Sequence, residues 1–237
     1  MRLEHFENIT LYNADCRDVV EQVSYDSIAT DPPYGMAFRS NFRLEQHAAI
    51  ANDGDVGMLQ WTCDLPANHS KYIFCRWDNI ADVPKPKSLI TWVKNNWSMG
   101  DLQHEHGRQT EVALFYPGAS HFFPNGRPSD VVRAPRTGNG DHPTQKPVEL
   151  MEQVVLWTDG VVFDPFMGSG ATGAACARLG RAFIGVELDP GYFDVACRFV
   201  EKALGQPSMF KPKPRSANDN SPIGDFFAAA AQAGAAA

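Results

Sequence analysis

Residues 27–34 read SIATDPPY. An apolar run ends in Asp31, two consecutive prolines and an aromatic residue. Pro32 and Pro33 lock φ and remove two backbone donors. The Asp31 carboxylate and the Pro32 carbonyl can then stand together as acceptors, with no neighbouring N–H competing for them. Tyr34 supplies a flat stacking face. Such a set suits a planar substrate with an exocyclic amino group, whose two N–H donors match the two acceptors. The same residues also describe a rigid turn after a strand, with Asp31 as its cap. The tetrapeptide by itself leaves both readings open.

A second chemical segment is VVFDPFMGSGAT, residues 161–172. An apolar strand runs into a glycine-containing turn and then into a small-residue helix. Gly168 and Gly170 allow close approach of backbone to a ligand, and the helix N-terminus offers unpaired N–H groups. With Gly173 the string matches G-x-G-x-x-G, the dinucleotide-binding fingerprint. Glu187 closes the next apolar run, where an acid can accept hydrogen bonds from a ribose hydroxyl pair. The pattern does not separate NAD from another adenosine cofactor, nor from a tight strand–helix turn without a ligand. Its position does say something. Only residues 174–237 follow the turn, so the remaining strands of a nucleotide-binding sheet must lie upstream, in permuted order.

The elements that must hold these segments are legible as short apolar runs at 9–12, 27–30, 72–75, 89–93, 112–116, 161–163 and 182–186. Seven runs, several separated by helical patterns, predict an α/β domain with a largely parallel sheet. Val148, Leu150, Met151, Val154 and Val155 follow helical spacing after Pro147. A small-residue helix is expected from about 171 to 179 with Gly180 as its stop. A third helix opens with Asp189 as N-cap and Pro190 at its first position, and ends at Gly205. Two stretches, 35–70 and 117–141, lack periodicity and are candidate functional loops. Residues 205–237, with KPKPRSANDNSP and an Ala-rich end, read as a tail.

The 237 residues carry a formal net charge of −7, with 43% hydrophobic and 21% charged residues. A packed core is available and global disorder is excluded. The acidic balance argues against coating nucleic acid through bulk charge, so any such contact must be a local patch. Cys16, Cys63, Cys75, Cys176 and Cys197 share no CxxC spacing, which reads as reduced thiols in a cytoplasmic protein. No apolar run is long enough to span a membrane, and the polar N-terminus is no secretory signal. His104, Glu105, His106 and His121 lack a matching second ligand pair, so no metal site is expected.

DPPY (31–34), HPTQKP (142–147) and FDPFMGSGAT (163–172) occur together and in that order. In this combination the chain resembles the β-class of S-adenosylmethionine-dependent amino-methyltransferases, which modify adenine N6 or cytosine N4 in DNA. The resemblance covers residues 7–204. It implies a Rossmann-like, circularly permuted sheet of seven strands, mostly parallel with one antiparallel strand. Residues 1–204 would form the catalytic domain. It also implies a cofactor site. Asp164, Pro165, Phe166, Gly168, Ser169, Gly170 and Thr172 would surround the methionine part of S-adenosylmethionine. Glu187 would take the ribose, and Asp15 and Cys16 the adenine. His142, Thr144 and Lys146 would cover the amino-acid end, with Lys146 as a cation for its carboxylate. Ala171 stands where the family usually carries a further hydroxyl.

By the same resemblance Asp31, Pro32, Pro33 and Tyr34 form the catalytic set. Acceptors on the amino group favour a localised nitrogen lone pair, which attacks the sulfonium methyl in line. The base must leave the duplex, with Tyr34 as stacking partner. Asp at the head of the tetrapeptide favours adenine N6, with cytosine N4 as the alternative and RNA or protein glutamine as more distant ones. Double-stranded DNA would be met by Arg39 and Arg43, which alternate with Phe38 and Phe42, and by Arg127, Arg133 and Arg136 in the 117–141 stretch. A short helix with one buried aromatic face is the other reading of the Phe–Arg repeat. A cognate restriction enzyme and a monomeric or homodimeric state fit this class.

Overall fold

A computed structural model of the chain describes residues 1–33, 56–97, 103–104, 106–136 and 145–206. Its strands are β1 (Arg2–Phe6), β2 (Ile9–Asn13), β3 (Ser27–Thr30), β4 (Ser70–Cys75), β5 (Ser88–Val93), β6 (Thr110–Pro117), β7 (Val131–Arg133), β8 (Val162–Asp164) and β9 (Phe183–Glu187). They form one sheet in the order β1-β2-β9-β8-β3-β4-β6-β5-β7. From β2 through β4 every neighbouring pair is parallel. β6 lies antiparallel between β4 and β5.

The seven expected runs are all strands of this sheet. Two further strands correct the count to nine among the described residues. β1 forms an antiparallel hairpin with β2 through Glu7, whose φ is +52°, so a second strand runs against the rest. β7 adds to β5 in parallel. Both are edge strands. β1 is mostly exposed and β7 buries only Val132, so neither needs the apolar run that marks an interior strand.

Helices cover both faces. α3 (Val148–Leu156), α4 (Ala171–Leu179) and α5 (Pro190–Leu204) pack together on one face, with α4 between the other two. α1 (Cys16–Val19) and α2 (Gly57–Asp64) contribute to the opposite layer. Strand side chains alternate accordingly: Tyr72 and Phe74 join the α3–α5 core, while Ile73 and Cys75 join the other. α2 lies inside the stretch read as a loop. Its weakly amphipathic sequence, GMLQWTCD, buries Leu59, Thr62 and Cys63.

α4 is buried along nearly its whole length, which its small residues permit. A Cβ on Gly173 would stand 3.0 Å from both the Phe183 ring and Val200. The helix ends at Gly180 with φ +65°. Asp189 caps α5 by accepting from the Tyr192 N–H at 2.9 Å, with Pro190 opening the first turn. α3 begins at Val148, with Pro147 just outside it in extended conformation. The chain reverses winding where β8 and β3 lie side by side, pairing Ser27 with Val162 and Ile28 with Phe163. In open α/β sheets ligand crevices form outside the carboxyl ends of strands at such a point.

Candidate active site

β3 and β8 both end in an Asp-Pro step at this point. Asp164 is 2% exposed. Its carboxylate accepts from Thr30 Oγ1 at 2.6 Å, from Thr172 Oγ1 at 2.6 Å and from the Phe166 N–H at 3.1 Å. Burial pushes its carboxyl up to about 6, against the opposing pull of those three donors. The Thr30 bond joins the segment before DPPY to the glycine loop across 134 residues of sequence.

The loop after Asp164 is fastened at several points. The Met167 N–H donates to Val186 O at 3.0 Å and the Gly170 N–H to Met167 O at 2.8 Å. Gly168 and Gly170 adopt φ of +53° and +87°, conformations that a side chain disfavours. Pro165 and Ser169 are buried beside them, and Phe166 packs edge-on against Trp61. Glu187, the last residue of β9, accepts from the Gly168 N–H at 3.0 Å and the Asp189 N–H at 2.8 Å. Burial raises its carboxyl above the usual range. Asn13 at the end of β2 donates to the carbonyls of Glu187 and Leu188. The Ala14 N–H also reaches Glu187 O, so the Asp15–Cys16 pair lies next to Glu187. Asp15 caps α1 through the Arg17 N–H and pairs with the Arg17 guanidinium at 2.5 Å. Cys16 is buried and its thiol is pushed up to about 12, a packing cysteine rather than a reactive one.

A nucleoside-type sulfonium cofactor fits these residues. Carboxylates stand at the ends of β8 and β9. Two left-handed glycines open the loop between them, and the first turn of α4 has N–H groups without intrahelical partners.

On the other side of the switch point the Asp31 carboxylate receives the Lys146 ammonium. Lys146 is 8% exposed, and its Nζ also lies 3.3 Å from Glu111 Oε2. Glu111 Oε1 in turn pairs with the Lys94 ammonium. Burial opposes ionisation of Glu111, yet Lys146 and Lys94 outweigh it and hold its carboxyl at about 2. Sequence reasoning assigned Lys146 to a cofactor carboxylate; here its ammonium stands on Asp31 and Glu111. Sequence reasoning missed Lys94 and Glu111. The available signal was an acid just before the apolar run of β6 and a lysine directly after β5, two residues beyond Trp92, which pairs with Glu111.

Tyr34, Arg39, Arg43, His142 and Thr144 lie outside the described residues. The three other arginines do not form one patch. Arg133 ends β7, beside Val93, and the Arg136 N–H donates to Asn95 Oδ1, so both lie along the carboxyl edge with Asp31. Arg127 instead rims a cavity of about 400 Å³ with Tyr72, Ser88 and Phe115, toward the start of β4 and β5. His104 and His106 are exposed. His121 packs edge-on against His69, Phe115 and Phe123, and no grouping of metal-ligating residues occurs among the described residues. Among these residues no helix is long and apolar enough to cross a membrane.

A permuted, mostly parallel sheet with an acid-and-glycine crevice at its switch point defines a nucleotide-cofactor-binding α/β enzyme. Comparison with known proteins narrows the class. Residues 89–198 match the family model described as DNA methylase, of the N6/N4 methyltransferases. The type II methyltransferase M2.LlaDCHI of Lactococcus lactis subsp. cremoris is 41% identical, over 83% of this chain and 90% of the relative. The putative methylase YubD of Escherichia coli (strain K12) is 30% identical, over 69% of this chain and 76% of the relative. A crystal structure of M1.HpyAVI in complex with S-adenosylmethionine superposes with a TM-score of 0.62 at 27% identity, covering 81% of this chain and 98% of that one. The chain belongs to the N6/N4 DNA methylase family.

Proposed function

We propose that this chain transfers a methyl group from S-adenosylmethionine to the exocyclic N6 of an adenine flipped out of double-stranded DNA. One observation carries the reading. Thr30 Oγ1 bonds Asp164 at 2.6 Å, so the acceptor residues after β3 and the glycine loop after β8 share one crevice. Support for the cofactor comes from the M1.HpyAVI complex and from the fit of Asp164, Gly168, Gly170 and Glu187. Bound there, S-adenosylmethionine supplies an electrophilic sulfonium methyl.

The chain's own residues do the rest. Asp31 and the Pro32 carbonyl accept the two amino protons of the base, which localises the nitrogen lone pair toward the methyl. Lys146 fixes one oxygen of the Asp31 carboxylate. Glu187, already held by two backbone N–H groups, has lone pairs left for a ribose hydroxyl pair. Tyr34 stacks on the base. Most of the rate enhancement is positioning and electrostatics. Arg133 and Arg136 stand along the edge where DNA would lie. Few phosphate contacts suit the net charge of −7 and imply a shallow salt dependence.

Asp rather than Ser at the head of the tetrapeptide supports adenine. The purified protein, unmethylated genomic DNA and S-adenosylmethionine test it directly. After digestion to nucleosides, mass analysis should find N6-methyl-2′-deoxyadenosine. N4-methyl-2′-deoxycytidine as sole product would replace the base assignment, and absence of any methylated nucleoside would overturn the reading.

A further inference from the structure

We propose that Glu111 is a positioning residue for methyl transfer, setting the place of the Lys146 ammonium that orients Asp31. This inference rests on the functional reading above and adds residues that its motifs do not contain.

Four charges alternate along the edge of the sheet where β3, β4 and β5 end and β6 begins: Asp31, Lys146, Glu111 and Lys94. Each oxygen of Glu111 serves a different ammonium, Oε1 for Lys94 and Oε2 for Lys146. Both lysines are nearly inaccessible, at 9% and 8%. Both rest on aromatic faces, with Lys94 Nζ 5.1 Å from the Trp92 ring centroid and Lys146 Nζ 5.1 Å from that of Phe74. A buried ammonium is costly without a counter-charge, so the carboxylate between the two lysines decides where each stands. Lys146 divides its charge between Glu111 and Asp31. Without Glu111 the ammonium loses one counter-charge and shifts toward Asp31, and the plane of the Asp31 carboxylate turns with it. A hydrogen-bond acceptor that must localise a lone pair is sensitive to such a turn, because displacements of about 1 Å at a reacting centre cost about a hundredfold in rate.

The test uses the full chain, tritiated S-adenosylmethionine and unmethylated genomic DNA. Turnover is measured at saturation of both substrates, cofactor affinity by calorimetry and folding by thermal melting. Glu111→Gln keeps the shape and removes the charge. Its turnover is expected to fall about tenfold to a hundredfold, with the cofactor dissociation constant and the KM for DNA unchanged. Glu111→Asp keeps the charge and should recover most of the turnover. A merely structural role would lower the melting temperature without splitting turnover from affinity. Wild-type turnover in a folded Glu111→Gln variant would overturn the proposal, as would a loss confined to cofactor affinity. Should Glu111→Gln fail to fold, Lys94→Met/Glu111→Gln removes the outer pair together, and the same turnover loss at unchanged affinity is required of it. A wild-type chain that transfers no methyl overturns the functional reading itself. An active wild type with indifferent Glu111 variants overturns the positioning role alone.

Discussion

Two neighbouring strands of this sheet end in the same dipeptide and use it in opposite ways. After β8, Asp164-Pro165 turns inward: the carboxylate is sealed from water and saturated by two threonine hydroxyls and a backbone N–H. No described cation pairs with it, and burial drives its carboxyl up to about 6. After β3, Asp31-Pro32 meets an ammonium, and the Asp31 side chain keeps 22% of its surface open. One aspartate braces a loop; the other is held ready at the crevice. In the proposed reaction the carboxylate that meets the substrate is partly wet and ion-paired, whereas the carboxylate behind the cofactor loop is satisfied by neutral donors.

The largest way to break this contrast is chemical. Asp31→Ala is expected to lower methyl incorporation into DNA about a thousandfold while calorimetry still finds cofactor binding. Substantial residual transfer would remove Asp31 from the catalytic set.

The next concerns pH. The Asp164 carboxyl lies at about 6 in the fold against an ordinary 3.8, so the folded state holds its proton more tightly than the unfolded one. The stabilisation from this group is complete below pH 4 and is lost as pH rises to about 6. Its size is about 3 kcal/mol. Other carboxylates titrate in the same window, so the measured quantity is a difference. Urea unfolding of wild type and Asp164→Asn at several pH values should show wild type losing that amount relative to the variant between pH 4 and 6. A flat difference would mean that the buried carboxyl is not raised.

Thr172→Val probes the brace from the donor side. Replacing the hydroxyl with a methyl of similar size strips one bond from a buried carboxylate, an expected loss of about 2 kcal/mol in unfolding free energy. A denaturant midpoint unmoved from wild type would show that the loop does not depend on this bond.

The smallest effects separate the loop from an ordinary helix stop. Gly170 has φ +87°, and a Cβ there would stand 3.0 Å from Ala196 Cα and Cβ; Gly180 has φ +65° with nothing within 4 Å. Gly170→Ala should cost about 2 kcal/mol and weaken cofactor binding, while Gly180→Ala should cost about 1 kcal/mol and leave binding alone. Equal losses in thermal melts would mean that the backbone conformation alone, not the contact with α5, sets the cost.

Much of this architecture is legible in the chain. The central strands β3, β4 and β8 bury both faces, so each is a continuous apolar run readable without neighbours. Asp189-Pro190 and Gly180 mark helix ends through local hydrogen bonding and φ. DPPY and the glycine turn are likewise local. The edge strands β1 and β7 escaped because each needs only one partner strand and little burial. The Lys94–Glu111–Lys146 chain escaped because its members come from separate elements with no spacing rule between them.

The amino-acid sequence by itself determined where the backbone must turn, which runs form the interior of the sheet and where its two Asp-Pro steps fall, since proline, glycine and apolar periodicity act within a few residues. Only the tertiary structure decided what each aspartate became. Lys146 reaches Asp31 from 115 residues away and Thr30 reaches Asp164 from 134, and it is desolvation together with the nearest donor, both set by which strands lie side by side, that makes one carboxylate a buried brace and leaves the other ion-paired and partly open at the crevice.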